Sequence, residues 1–471
     1  MPDSDGSDRQ ARIGRRTYIK SASVAALVGF AGCSGGGDGG SSDGEDGESS
    51  GDGDGTSGGD DGSSGDGADG SSDGSDEDSS DDGGSTDGGG SSGPIKVGNL
   101  SPFSGGLGWI GPNSRRGVET ALEAEGGVNA EGVLGTTVEI TEQDTETKPQ
   151  PAISGFKTLD SQGVVTMVGP SSTVTPSLVE PAQSAGLSFV SPMTGTIQLD
   201  DVGGEYIWRT VPSDSIGARA QAQYAYDELG HEKMALAFKN DKGSQSFSKA
   251  SGNYFKFLGG DVQTEVALDP AASSYRSEVK TLMDSDAEVV SMTAATEVTG
   301  LFIKNYVEAG ADEEFELLLG NDVLTPDFIE EMGTDVMEGM VGQAPAPGPA
   351  HESFAEKHES LHDKQPGAFA AAAYDAMNLI GLAFVAEGEA TREAVPNNLH
   401  DLGNPDGTKV TSFAEGKKAL ENGEDIDYVG ASNPQNFDET GDPLGPFSAL
   451  QAQDGEWETV KTYAAEDLAK K

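Results

Sequence analysis

From Ile95 onward the chain repeats one pattern, and that pattern leaves few folds open. Short apolar runs bounded by Gly or Pro alternate with longer amphipathic stretches. Ile95–Leu100, Val138–Thr141, Val164–Val168, Leu187–Val190 and Ile207–Thr210 read as strands, with helices at Asn113–Glu125, Gln150–Gln162 and Thr175–Ala185 between them. Parallel strands need a crossover long enough to carry a helix, so this alternation implies parallel βαβ units. The pattern then restarts. Ser213–Leu229, Ser244–Leu258, Ser273–Ser285 and Val298–Ala309 read as helices among the strands Met234–Phe238, Val262–Ala267, Val289–Met292, Phe315–Leu319 and Met340–Ala344. Two successive open α/β sheets are the simplest solution. Such sheets take ligands beyond the carboxyl ends of their strands, and two that face each other make a cleft.

The Pro-rich stretch Gln343–Pro349 reads as a crossing between the sheets. Helices at Glu352–Asp363, Phe369–Glu387, Arg392–Leu402 and Phe413–Asn422 follow it. Tyr428–Tyr463 reads as irregular structure ending in a hairpin around Phe447–Leu450 and Trp457–Lys461.

Ahead of this region the composition changes twice. Gly14-Arg15-Arg16-Thr17-Tyr18-Ile19-Lys20 precedes an apolar run from Ala22 to Ala31. A charged segment followed by a short apolar one is a secretory signal, and the paired arginines point to the twin-arginine route. The run is too short to span a bilayer, which takes about 20 residues. Phe30-Ala31-Gly32-Cys33 resembles a lipobox, with cleavage before Cys33 and lipid on its sulfur; the other reading is a non-lipidated export substrate with an incidental Cys. Cys33 is the single cysteine, so no internal disulfide is expected. Residues 34–93 hold only Gly, Ser, Asp and Glu apart from Thr56, Ala68 and Thr86. Nothing there can be buried, and a flexible tether spanning roughly 40–45 Å is predicted.

The chain carries 29 basic and 81 acidic residues, a net charge of −52. Residues 34–93 hold 18 of the acidic residues, and 1–33 hold 3 acidic and 5 basic ones. The remainder, 94–471, keeps 60 acidic and 24 basic residues, a balance of −36. A surface so negative repels nucleic acid, and no nucleic-acid partner is expected. Its self-repulsion would destabilise a compact fold in dilute buffer, whereas molar salt screens charge to about 3 Å. In this acidic, lysine-poor character it resembles haloarchaeal proteins; an acidic protein of ordinary salt is the alternative.

Three chemistries are weighed and set aside. Gly106-Leu-Gly108-Trp-Ile-Gly111 matches GxGxxG, but five residues including Pro102 separate the strand from its first Gly, too long for a dinucleotide-binding turn. His358 and His362 share a helix face near His351, yet such pairs are commonly solvent-exposed and no third fixed ligand is evident, so no metal site is expected. No nucleophile elbow, Ser-His-Asp order or paired-acid motif is legible among five histidines. Neither enzyme nor cofactor is predicted.

Seven phrases in order carry a family resemblance: Ile95–Gly105 (IKVGNLSPFSG), Val168–Thr173 (VGPSST), Ser191–Thr194 (SPMT), Trp208–Thr210, Asn240–Lys242, Gly320–Asp322 and Ala373–Ala376. Residues 94–471 resemble the branched-chain amino-acid (Leu/Ile/Val) binding proteins, which are type I periplasmic binding proteins serving ABC importers. The resemblance implies two Rossmann-like lobes with open parallel sheets, joined by a three-crossing hinge. The crossings would fall near Val211–Ser213, Ala344–Pro349 and Asp427–Phe437. One lobe would comprise 94–212 with 345–430, and the other 213–344 with 431–471. It further implies a monomer that closes around a small solute, most simply an amino acid, and presents itself to an ABC permease beside the membrane that its lipid anchors it to. The alternative is a solute-sensing ectodomain working with a membrane signalling partner.

The resemblance also proposes ligand contacts. Ser171, Ser172 and Thr173 follow a strand and precede a helix; they would hold the ligand carboxylate, or simply cap the helix. Thr194, Gly195 and Thr196 match a second contacting loop, or form an ordinary turn. Asp322 would pair with the ligand ammonium, or be a solvated loop acid. Trp109 would cover the ligand side chain, or pack a lobe. The second lobe has small polar residues, Gly243–Ser246 and Ala294–Glu297, where the family often has aromatics. Gln245 and Glu297 could then bond a more polar amino acid, an amide or urea.

Overall fold

The computed structural model describes residues 93–469. The export signal, Cys33 and the tract up to residue 92 lie outside the described residues. Fourteen strands are present among them. They are β1 (Ile95–Ser101), β2 (Val138–Asp144), β3 (Met167–Val168), β4 (Phe189–Ser191), β5 (Ile207–Arg209), β6 (Lys233–Lys239), β7 (Asp261–Leu268), β8 (Val289–Thr293), β9 (Glu316–Leu319), β10 (Val341–Pro345), β11 (Thr408–Val410), β12 (Ile426–Tyr428), β13 (Phe447–Gln453) and β14 (Glu456–Tyr463).

The first lobe is a parallel sheet in the order β2-β1-β3-β4-β5. The second runs β14-β13-β10-β9-β8-β6-β7, and its five parallel members repeat the first sheet's connectivity. In each lobe the strand order therefore reverses beside the first strand, β1 or β6, which is where open α/β sheets leave a crevice at their carboxyl edge. The reading of two α/β lobes holds. Central strands such as β1 and β6 are buried through most of their length, as expected when helices cover both faces of a parallel sheet. The C-terminal hairpin β13–β14 adds to the second sheet antiparallel to β10.

The helix Ala370–Glu387 is the axis of the first lobe's core. It is apolar nearly all round and buried along most of its length. Such a helix must be covered on every side, and Ile110–Glu123 packs against it closely. At Gly117 an added Cβ would lie 2.1 Å from the Ala370 carbonyl oxygen, so no side chain fits there. Gly259 ends the helix Lys242–Leu258 in the left-handed conformation (φ 107°), with its N–H bonded back to Lys256 and Phe255.

Two details depart from expectation. The short parallel pair β11–β12 flanks the first lobe and was not read from sequence. The third crossing also comes later than Asp427–Phe437. Ala431 and Phe437, expected in the second lobe's share of the chain, belong to the first core, where Phe437 sits edge-on to Trp208 at 5.3 Å. Phe447 is the first residue to enter the second core, so the chain crosses at 444–446.

Asp375, fully buried on the central helix, fixes the approach to this crossing. It accepts hydrogen bonds from Ala431 N, Ser432 N, Ser432 Oγ and the Tyr428 hydroxyl at 2.5–3.0 Å. Ser432 Oγ and Asn433 Nδ2 in turn reach the Thr210 carbonyl of the first crossing. Gly348 N and Ala350 N of the second crossing bond the carbonyls of Ala431 and Gly430. The segment leading to the third crossing is thus tied to the first two crossings at the first lobe.

Candidate functional site

Loops leaving the carboxyl ends of β1, β3, β4 and β5 in one lobe, and of β6, β8 and β9 in the other, line a cleft of about 330 Å³. The crossings form its remaining wall, through Gln343 and Pro345 of β10 and Phe447 of β13. The site thus lies where the topology puts it.

Six of the ten residues expected from sequence line this cleft: Trp109, Ser171, Ser172, Gly195, Glu297 and Asp322. Trp109 is 54% exposed on the first-lobe rim. Its loop is anchored by Asp144, which accepts from Phe103 N (2.9 Å), Ser104 N (3.2 Å) and Ser104 Oγ (2.6 Å). Ser171 and Ser172 cap no helix. The turn Thr175–Ser177 has Val174 at its N-cap without a side-chain bond, while Ser172 Oγ accepts from Gly195 N (3.2 Å).

Thr173, Thr194, Thr196 and Gln245 do not line the cleft. Thr173 is exposed and bonds back to Ser171 Oγ at 3.1 Å. Thr194 is buried behind the loop; its hydroxyl donates to the Pro170 carbonyl (2.6 Å) and meets that of Thr175 at 2.9 Å. Thr196 caps the turn Ile197–Leu199. Gln245 points to solvent, while its neighbours Ser244 and Phe247 line the cleft. The histidines set aside as exposed are not so. His358 is buried, its Nδ1 2.8 Å from the Lys364 carbonyl oxygen, and burial holds its pKa below the usual value.

Several lining residues were missed. Asp214 opens the helix Asp214–Gln223 directly after the first crossing, and its N–H bonds the Gly195 carbonyl at 2.7 Å. The space beside Gly195 is filled by the Asp214 carboxylate: a Cβ there would lie 2.3 Å from Oδ1. Burial pushes the Asp214 carboxyl up to about 7. Arg209 pulls against this shift, while Asp322 and Asp200 add to it. The cleft walls likewise strip water from Asp322 and raise it, against the pull of Lys239. Lys239 itself is paired with Asp241 at 3.1 Å. Phe369 lines the cleft with φ at 67°, a strained setting for a bulky side chain.

Arg209, only 1% exposed, sits behind Asp214 with its hydrogen bonds directed elsewhere. Its Nε and Nη2 pair with Asp442, Nη1 donates to the Thr196 carbonyl (3.0 Å) and Nη2 to Asp200 (3.0 Å). These bonds brace β5, the loop behind Gly195 and the third crossing, but they leave Asp214 without a hydrogen-bonded cation.

A family model described as periplasmic binding protein matches residues 94–455. The chain belongs to the periplasmic binding protein family. It is 25% identical over 373 residues to Leu/Ile/Val-binding protein homolog 3 of Brucella melitensis, covering 77% of this chain and 92% of that one. Homolog 7 of the same organism is 24% identical over 259 residues, which are 53% of this chain and 64% of the relative. Among solved structures, a leucine-binding protein of Thermotoga maritima superposes with a TM-score of 0.66 at 21% identity, over 79% of this chain and 99% of that one. A solute-binding protein of R. palustris in complex with 4-hydroxybenzoate gives 0.62 at 20%, over 79% and 97%. Periplasmic binding proteins capture small solutes outside the cytoplasm and work with ABC permeases. The two-lobed cleft is the fold's means of doing so.

Proposed function

We propose that this chain is the solute-capturing component of an ABC importer, exported by the twin-arginine route and held at the outer membrane face by a lipid on Cys33. Its lobes close on an amino acid or amide-like solute by flexing at the three crossings. The observation that carries this reading is the cleft itself, lined from both lobes and from the crossings, so that a solute within it touches every part that must move. Ser171, Ser172, Trp109, Asp214, Glu297 and Asp322 are the residues proposed to meet the solute. The acidic, lysine-poor surface supports a salt-adapted protein.

Thermal unfolding of the full chain in molar KCl, against amino acids, amides and urea, tests the capture step. A ligand at a hundred times its dissociation constant adds about 2.7 kcal/mol of stability. A panel without any shift would withdraw the assignment. Cys33→Ser should release the protein from the membrane fraction; retention there would remove the lipid anchor.

A further inference from the structure

The charge of the cleft goes further than the family does. Asp214, Glu297 and Asp322 line it, and among the described residues no Lys, Arg or His does. Asp214 is part-buried, and Asp322 and Glu297 are exposed to the cleft; carboxylates gathered there with no cation among them repel one another and favour a bound counter-charge. The cations that act on Asp214 and Asp322 are already paired, Arg209 with Asp442 and Asp200, and Lys239 with Asp241.

A second observation points the same way. Gln343, 4% exposed on β10, is a lining residue of the cleft, and its buried side-chain oxygen has no hydrogen-bond partner. A buried acceptor in that state awaits a donor. The position of Asp214 adds a third. Its carboxylate occupies the space beside Gly195, next to Ser172, at the end of the cleft where a ligand carboxylate was expected. An anionic group placed there would meet like charge.

We propose that the cleft takes a solute of net positive charge, carrying two cationic nitrogens, one answering Asp214 and the other Asp322. A cationic amino acid and a short diamine share that chemistry. A neutral amino acid leaves the carboxylates in excess, and a carboxylic acid lacking nitrogen adds to the excess. The −36 balance of 94–471 would also concentrate such cations near the mouth of the cleft at low salt.

This inference rests on the cleft being the solute site, and the experiment separates the two. The full chain is titrated calorimetrically with L-lysine, L-ornithine, L-arginine, 1,4-diaminobutane, L-leucine and benzoate. At least one dicationic compound should bind more than tenfold tighter than leucine and benzoate. The amino-acid and diamine arms tell whether a ligand carboxylate is needed. Asp214→Asn and Asp322→Asn should each weaken that compound about thirtyfold or more, as expected when one partner of an enclosed charge pair is removed. Should either variant fold poorly, the wild type gives a second reading. Near pH 7, binding should expel a proton from Asp214, which faces Arg209, Asp200 and Asp322, so the heat should change with the buffer's ionisation enthalpy.

Tighter binding of leucine or benzoate than of every cation overturns the inference and leaves the importer reading standing. Unchanged affinity in the Asp214 variant overturns it too. No binding by any of the six overturns the inference, and the importer reading is then decided by the thermal panel of amino acids, amides and urea.

Discussion

Asp214→Asn should stabilise the protein above neutral pH while disabling its cleft. The carboxyl ionises near 3.8 in the unfolded chain and at about 7 in the fold, mainly because burial disfavours its charge. Between those values the native state binds the extra proton. Stability from this group is therefore fully present below about pH 4 and is lost as pH rises towards 7. The shift of about three units corresponds to at most about 4 kcal/mol at about 1.4 kcal/mol per unit, less whatever solvent in the open cleft relieves. With an unfolding entropy near 2.1 cal/mol/K per residue over about 380 residues, that is a rise in Tm of at most about 5 °C for the Asn variant at pH 8. The gain should fade as pH falls to 4. Paired melts of wild type and variant from pH 4 to 8, in one salt concentration, measure it. A variant destabilised equally at every pH would refute the reasoning, since Asp214 would then be an ionised partner of Arg209.

Arg209→Ala should cost about 3–5 kcal/mol in denaturant unfolding, because it strands Asp442, which is 5% exposed, without its counter-charge. A loss under 1 kcal/mol would show that the network is solvated. Asp375→Ala should cost about 3 kcal/mol, because four donors in the segment leading to the third crossing lose their acceptor. Hydrogen exchange at Ala431 and Ser432 should accelerate in that variant, and unaltered exchange would free the crossing from dependence on Asp375. Gly195→Ala should weaken solute binding at least tenfold with little change in Tm, because its Cβ meets the Asp214 carboxylate rather than backbone. Unimpaired binding would show that Asp214 can move aside without loss.

The sequence made the sheets legible because their central strands are apolar throughout and bounded by Gly or Pro, a pattern that parallel strands covered on both faces must show. The pair β11–β12 escaped notice for the opposite reason. Each strand has three residues, and Thr408 and Lys409 are exposed. Six cleft residues were legible because a parallel sheet fixes where its carboxyl-end loops must lie. Thr173, Thr194, Thr196 and Gln245 stand within a few residues of true lining positions yet turn away. In a tight loop neighbouring side chains point to opposite sides, and composition does not reveal that phase. Asp214 carries no sequence signal of its own, since an acid in a first helical turn is accounted for by the helix dipole alone. Its place in the cleft depends on Gly195, which stands on the loop after another strand. Gln343 was seen only as the start of a Pro-rich crossing.

The cleft and the surface answer salt differently, and this links the chain's charge to its chemistry. Surface carboxylates repel one another, and molar salt screens that repulsion over about 3 Å. Asp214 is part-buried in the cleft, and buried charges are screened less than exposed ones, so its demand for a cation outlasts the surface field. Carboxylates raised by burial cluster at functional sites, and one that faces a cleft without a bonded cation is placed to serve a ligand. A protein with an acidic exterior could steer cations electrostatically in dilute medium. In concentrated salt that steering vanishes, and recognition must be carried by charges inside the site. Asp214, Asp322 and the unpartnered oxygen of Gln343 stand where such recognition is needed.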